Sequence, residues 1–225
     1  MHVFLATPTY NGLTDPGFLD SLEQTTQHLQ ELGHKVEFLM VKGSCYVQTA
    51  RNRIVQKFID SGADCLVFLD DDLTWPDEAV VRLLEAPGDV VAGIYPLKQA
   101  EEAYPVVLYF SDPPEVQVTQ RHDNCILAHS VPTGLLKITR QAILLLQHAH
   151  PDKRYDDDEG TAYDIFPQGV HEGRWVGEDF AFCRLWREIG GEIWVMPDVD
   201  FSHAGYAGNF DSYMRSLVAP KGDTI

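Results

Sequence analysis

The chain has 225 residues, of which 44% are hydrophobic and 11% aromatic, enough to build one sizeable core and too much for a disordered segment. Its formal net charge is −17. That balance argues against a broad basic groove tracking a nucleic-acid backbone, while leaving open a nucleic acid met through a small local patch.

In chain order, HVFLAT at residues 2–7 reads as a buried strand. Residues 16–32 carry a helical period, with Phe18, Leu22, Leu29 and Leu32 near one face and Gly33 as the stop. KVEFLMV at 35–41 is the second strand. The second helix, 47–62, has Val47, Ile54, Phe58 and Ile59 inward and ends at Gly62. DCLVFLD at 64–70 is apolar on both faces, as a central parallel strand should be. Pro76 opens a third helix, with Asp77 and Glu78 favourable near its N-terminal dipole. VVAGIY at 90–95 is a fourth strand. Alternating strands and helices imply an α/β fold with a mostly parallel sheet flanked by helices, whose ligands bind outside the carboxyl ends of the strands.

The second half changes character. YPVVLYF, a Pro-rich turn at 112–114, VQVTQ, CILAHSV and LLKIT read as a smaller antiparallel part. A helix at 139–148 follows. Residues 149–176 are rich in Asp, Gly, Pro and Tyr and show no clear period, so a long flexible loop is expected there. A helix at 178–189, stopped by Gly190-Gly191, leads to the short strand EIWVM, and the tail after Ala219 should be loose. Without a linker or repeat, residues 1–225 form one domain.

The four cysteines, Cys45, Cys65, Cys125 and Cys183, form no C-x-x-C pair, so buried free thiols in a reducing compartment are expected. The opening HVFLAT lacks the length and basic flank of a signal peptide, and no run approaches the ~18 apolar residues of a membrane span. A soluble, cytoplasmic protein is the expectation.

Asp70-Asp71-Asp72 follow the apolar run LVFL directly, so the strand carries them to its carboxyl end. Alternation sends Asp70 and Asp72 to one side and Asp71 to the other. Two carboxylates at that spacing repel each other unless a cation lies between them, and they suit a hard divalent ion. A turn or helix cap would need one Asp, not three. A second triplet, Asp156-Asp157-Asp158, has no apolar strand before it and reads as a solvated acidic loop.

With these motifs in order, the chain resembles a glycosyltransferase of the GT-A fold, of the family-two-like kind. The resemblance covers most of residues 2–206. Thr7-Pro8-Thr9-Tyr10-Asn11-Gly12 resembles the loop that receives the nucleotide base, and Ala50-Arg51-Asn52 the segment that faces the donor. Asp70-x-Asp72 matches the D-x-D motif. Pro132-Thr133-Gly134 resembles a glycine-containing loop near donor and acceptor, and Gly177-Glu178-Asp179 the x-E-D motif. His203 stands where the family places a late metal-binding histidine.

The resemblance implies a nucleotide-sugar donor, with a uracil nucleotide (UDP) the commonest in the family. Thr7, Pro8, Tyr10, Arg51, Asp70 and Asp71 would lie on that donor. Asp72 and His203, with Asp70 toward ribose or metal, would hold Mn2+ or Mg2+. That ion stabilises the leaving diphosphate as a Lewis acid, and a mixed carboxylate–imidazole set leans toward manganese. Asp179 would be the general base of an inverting transfer, and Glu178 would place the acceptor or the base. Residues 1–98 form the donor half and 99–225 the acceptor half. The acceptor stays open among glycan, lipid, protein, small molecule and hydroxymethylated pyrimidine in DNA. Trp75, Trp175, His171 and Arg174 are either sugar contacts or ordinary core and loop residues. Arg53 reads as solvated.

Three rivals use the same residues. A haloacid dehalogenase-type phosphatase would use Asp70 as nucleophile and Asp72 as acid/base. Against it, two strand–helix units precede the motif, and Glu178-Asp179 open a helix instead of ending a strand. A nucleotidyltransferase shares the metal logic. A non-enzymatic nucleotide- or carbohydrate-binding module would have no need of all three acidic and histidine features together.

Overall fold

The structure, a computed structural model, describes residues 1–109 and 119–218. The Pro-rich turn at 112–114, most of VQVTQ and the tail after Ala219 lie outside the described residues. In chain order the first half holds β1 (His2–Thr9), α1 (Pro16–Glu31), β2 (Lys35–Lys42), α2 (Val47–Ser61), β3 (Cys65–Leu69), β4 (Leu73–Thr74), α3 (Glu78–Glu85) and β5 (Val90–Gly93). The second half holds β6 (Val107–Leu108), β7 (Ile126–Ser130), β8 (Leu135–Thr139), α4 (Arg140–Ala149), β9 (Arg154–Asp157), β10 (Gly160–Tyr163), β11 (Gly169–His171), β12 (Arg174–Val176), α5 (Glu178–Glu188), β13 (Ile193–Met196), β14 (Asp200–His203), β15 (Tyr206–Asn209) and α6 (Phe210–Val218).

Eight strands form one sheet in the order β2-β1-β3-β8-β5-β13-β7-β6. β1 runs parallel to both β2 and β3, and β13 parallel to β5. β8 is antiparallel to the two strands that flank it, β3 and β5. The sheet is thus mostly parallel, as expected, but its second half does not stand apart. β7, β8 and β13 complete the sheet begun by β1, β2, β3 and β5. Leu135, Leu136 and Ile138 of β8 are fully buried, which suits a strand covered on both faces. Lys137 tolerates that position because its ammonium donates to the Ala86 carbonyl.

Apolar residues cover both faces of the sheet. Ile54 and Phe58 of α2, Ile143 and Leu146 of α4, and Phe182 and Trp186 of α5 pack into one core. Phe18 and Leu29 of α1 with Val80 and Leu83 of α3 pack into the other. Leu32 and Val47, expected inward, are exposed at the helix ends. Helix α3 begins at Glu78, two residues after Pro76, whose carbonyl accepts from the Ala79 amide.

The segment 149–176 is more ordered in structure than its sequence suggests. It holds a short turn and two hairpins, β9–β10 and β11–β12. Strands of three or four residues are too short to print a visible period. The second hairpin turns on Glu172 (φ 49°) and Gly173 (φ 76°), the doubly positive pair that matches strand twist. Cys65, Cys125 and Cys183 are buried free thiols, whereas Cys45 is exposed, against expectation. Among the described residues no helix is long and apolar enough to cross a membrane.

Candidate active site

β3 delivers the acidic triplet to the carboxyl end of the sheet. Its neighbour β8 fixes the first member. The Asp70 amide donates to the Gly134 carbonyl at 2.8 Å, and the Gly134 amide donates to the Tyr95 hydroxyl at 3.0 Å. A Cβ on residue 134 would lie 2.4 Å from that hydroxyl and 2.8 Å from Asp70 Oδ2. Only glycine fits. Burial holds the Tyr95 phenol well above its ordinary pKa, and Asp70 reinforces the shift, so the hydroxyl keeps its proton.

The third member, Asp72, meets His203 through backbone pairing. β14 runs antiparallel to β4, setting His203 opposite Leu73, and the Ala204 amide donates to the Asp72 carbonyl at 2.9 Å. His203 Nδ1 lies 2.7 Å from the Pro96 carbonyl. A carbonyl only accepts, so Nδ1 carries a proton and Nε2 is the ring nitrogen that faces Asp72. Nε2 stands 3.4 Å from Asp72 Oδ1. A proton on Nε2 makes that contact a hydrogen bond to the carboxylate, and a metal ion could take the proton's place between the same two atoms. Lys98 holds the other oxygen of Asp72. Burial raises the Asp72 carboxyl, but hydrogen bonds from His203 and Lys98 outweigh it and bring the pKa to about 2.

Helix α2 joins this acidic end to a second one. Arg51 is almost fully buried, with Nη2 at 3.0 and 3.2 Å from the two oxygens of Asp70. Its Nε lies 3.5 Å from Glu178 Oε1. Burial opposes its charge, yet Asp70 and then Glu178 hold its pKa above the ordinary arginine value. Glu178 and Asp179 form the first turn of α5, where acidic side chains complement the helix dipole. Asp179 Oδ1 accepts from the Phe180 amide at 2.7 Å. Burial, and then the charge of Glu178, raise the Asp179 carboxyl above its ordinary value. A carboxylate with a raised pKa is a stronger base, which suits proton abstraction.

The remaining predicted residues divide. The triplet lies in a turn after β3 ends at Leu69, so strand alternation does not set its directions: Asp70 and Asp72, expected on one side, part company, and Asp71 has a third environment. Burial raises its carboxyl, a Thr9 hydrogen bond offsets part of that, and its carbonyl accepts from Asp15. Thr7 and Pro8 are buried within β1, and the Thr7 hydroxyl has no partner among the described residues. Tyr10 stands 70% exposed beyond the strand. Trp75 is a core residue, its indole donating to Thr25 at 2.9 Å. Trp175, His171 and Arg174 line a cavity of about 540 Å3 together with Asp179.

Asp70 does not join Asp72 and His203. Its oxygens are committed to Arg51, and among the described residues no three His, Cys, Asp or Glu side chains are grouped to hold a metal. Asp72 and His203 nevertheless fit a divalent ion whose other ligands are phosphate oxygens and water, the usual pattern for nucleotide-bound Mg2+ and similar ions.

Sequence reasoning missed three residues. Lys98 and Tyr95 follow β5 with no motif around them. Arg53, expected in solvent, is buried against Asp157 with its guanidinium 5.9 Å from the Tyr155 ring. The available signal was the run Arg51-Asn52-Arg53 on a helix otherwise packed on the sheet. Each residue ties down a different segment, with Asn52 bonding Asp164 at 2.9 Å and the Phe166 amide at 3.0 Å.

Fold and site together define an α/β protein with an acidic crevice at the carboxyl ends of its strands. No family model matches the chain, and no curated protein matches it. Among solved structures it is similar to TarS residues 1–349 from S. aureus, with 17% identity over 87% of this chain and 58% of that one, TM-score 0.45. It is also similar to GalNAc-T7 solved with UDP, GalNAc and Mn2+, with 11% identity over 90% of this chain and 43% of that one, TM-score 0.49. A third is a glycosyltransferase involved in glycosylation of the major capsid of PBCV-1, with 13% identity over 63% and 62%, TM-score 0.32. The chain therefore spans less than two thirds of each of these structures. At these identities and scores the reading of the site rests on its own side chains.

Proposed function

We propose that this protein is a GT-A-type glycosyltransferase that moves a sugar from a nucleotide-diphosphate donor, a UDP-sugar foremost, to an acceptor hydroxyl. The observation that carries the reading is Arg51. It draws the strand-end triplet and the Glu178-Asp179 pair, more than 100 residues apart in sequence, onto one buried cation. Asp72 and His203 would hold Mn2+ or Mg2+ on the donor phosphates. When bound, that ion supplies positive charge to the departing diphosphate. Lys98, at Asp72, supplies a second donor for phosphate oxygen.

Asp179 is the general base. Its carboxylate takes the acceptor proton as the acceptor oxygen bonds to the anomeric carbon. The bond from that carbon to the diphosphate oxygen breaks, and the electron pair leaves with the nucleoside diphosphate. Direct displacement inverts the anomeric centre. Glu178, held by Arg51, positions the turn that carries Asp179. The phosphatase alternative needs Asp70 as a nucleophile, and both Asp70 oxygens lie on Arg51. The free thiols support a reducing, cytoplasmic setting.

The test is a panel of nucleotide sugars with and without Mn2+, read as nucleoside diphosphate released. Metal-dependent release from at least one donor is expected. Hydrolysis of a generic aryl phosphate, with no sugar nucleotide turned over, would replace this reading with the phosphatase.

A further inference from the structure

The acceptor's chemistry has a trace in the cavity beside Asp179. That cavity, about 540 Å3, lies between α5 and the β11–β12 hairpin. Its lining gathers Arg174, Arg184 and Arg187 with His129 and His171, in a chain whose formal charge is −17. Arg184 is paired with Glu188 at 2.7 Å. Arg174 and Arg187 have no ion-pair partner among the described residues. The hairpin register places His171 directly across from Arg174. Two guanidinium groups that line one cavity without an ion-pair partner among the described residues are free to meet an external anion. Their forked N–H groups match the oxygens of a phosphate, and a phosphate can engage several at once.

We propose that this cavity is the acceptor site and that it takes an acceptor bearing a phosphate close to the reacting hydroxyl. The proposal rests on Asp179 being the base. The phosphate would bind to Arg174 and Arg187, and the hydroxyl would point to Asp179 on the same wall. Trp175, 70% exposed on the cavity rim, gives a signal for occupancy.

The test titrates inorganic phosphate into the full chain in metal-free buffer at constant ionic strength, following indole fluorescence, with acetate as control and W175F to assign the signal. Saturable binding of phosphate, weakened at least tenfold in R174Q and further in the R174Q/R187Q double variant, is expected. Arg174 is exposed on its hairpin, so R174Q keeps the result interpretable if the double variant folds poorly. Transfer assays then compare glucose 6-phosphate with glucose, and a phosphodiester-linked dinucleotide with its nucleoside. A lower KM for either phosphorylated member identifies the source of the phosphate. Absence of saturable phosphate binding, or binding untouched by R174Q and the double variant, overturns the inference. Donor release by the unmodified protein in Mn2+ is measured alongside. Release without any phosphate effect sinks only this inference, whereas no release from any donor sinks the transferase reading and with it the acceptor assignment.

Discussion

The chain contains the same three letters twice, and the two copies fare differently. Asp70-Asp71-Asp72 leave a buried central strand, and each carboxylate meets a distinct environment: Arg51, Thr9, and the His203–Lys98 pair. Asp156-Asp157-Asp158 lie on an exposed hairpin. There Asp156 pairs with Arg154 at 3.2 Å within its own hairpin, and only Asp157 reaches a buried partner, Arg53. Composition is identical, so the difference comes from what precedes each triplet. An apolar strand forces its end into a crevice where charge is costly and therefore informative. A polar hairpin leaves its charges in water, where ion pairs are worth little.

Substitutions should reproduce that contrast in order of size. The largest effect belongs to Asp179, the proposed base. Asp179→Asn should lower transfer by about 10²–10⁴-fold. Its melting temperature should be no lower than that of the unsubstituted protein. The sign follows from its raised carboxyl, which binds a proton more tightly in the folded state, so ionised Asp179 opposes folding at neutral pH. Transfer by the unsubstituted protein should rise with pH through a midpoint above the ordinary aspartate value of about 3.9. A melting temperature that drops sharply in D179N would mean that Asp179 is a structural residue.

Arg51→Met comes next. It strands Asp70 and Glu178 without their shared cation and should destabilise by about 3–5 kcal/mol, measured by urea unfolding. Gly134→Ala pushes a methyl group against the Tyr95 hydroxyl and Asp70 and should cost about 1–3 kcal/mol, with loss of donor turnover. At the other triplet, Asp158→Asn should stay within about 0.5 kcal/mol and leave turnover unchanged. A comparable loss in D158N would erase the contrast between the two triplets.

The strands of the first half, α1 and α2, and the role of the apolar run before Asp70 follow from periodicity, because burial on one or both faces leaves a period in the letters. Placement of β8 between β3 and β5 does not. A strand apolar on both faces fits several central positions, and pairing partners are set by the whole sheet. At the site, the pairing of Asp72 with His203 was anticipated through the motif order, yet the local cause is the β4–β14 ladder, two residues long on the β4 side. Lys98 was out of reach, since an ion pair across distant segments leaves no mark on neighbouring residues, and for Arg53 the one mark was the run Arg51-Asn52-Arg53 on a helix packed against the sheet. Asp70 lay between these cases: its position was legible, but its commitment to Arg51 in place of the metal pair was not.

In the proposed donor site, Asp72 and His203 act only with a divalent ion and a nucleoside diphosphate present together. Thermal unfolding with Mn2+ alone, UDP alone and both together tests it most directly, with GDP and ADP as further nucleotides and D72N as the matched variant. A ligand held only by the folded state at about 100 times its Kd stabilises by about 2.7 kcal/mol. A rise in melting temperature is expected for the metal and at least one nucleoside diphosphate together, larger than for either alone and abolished in D72N. No rise with any of the three nucleotides in the presence of Mn2+, or an equal rise in D72N, would contradict it.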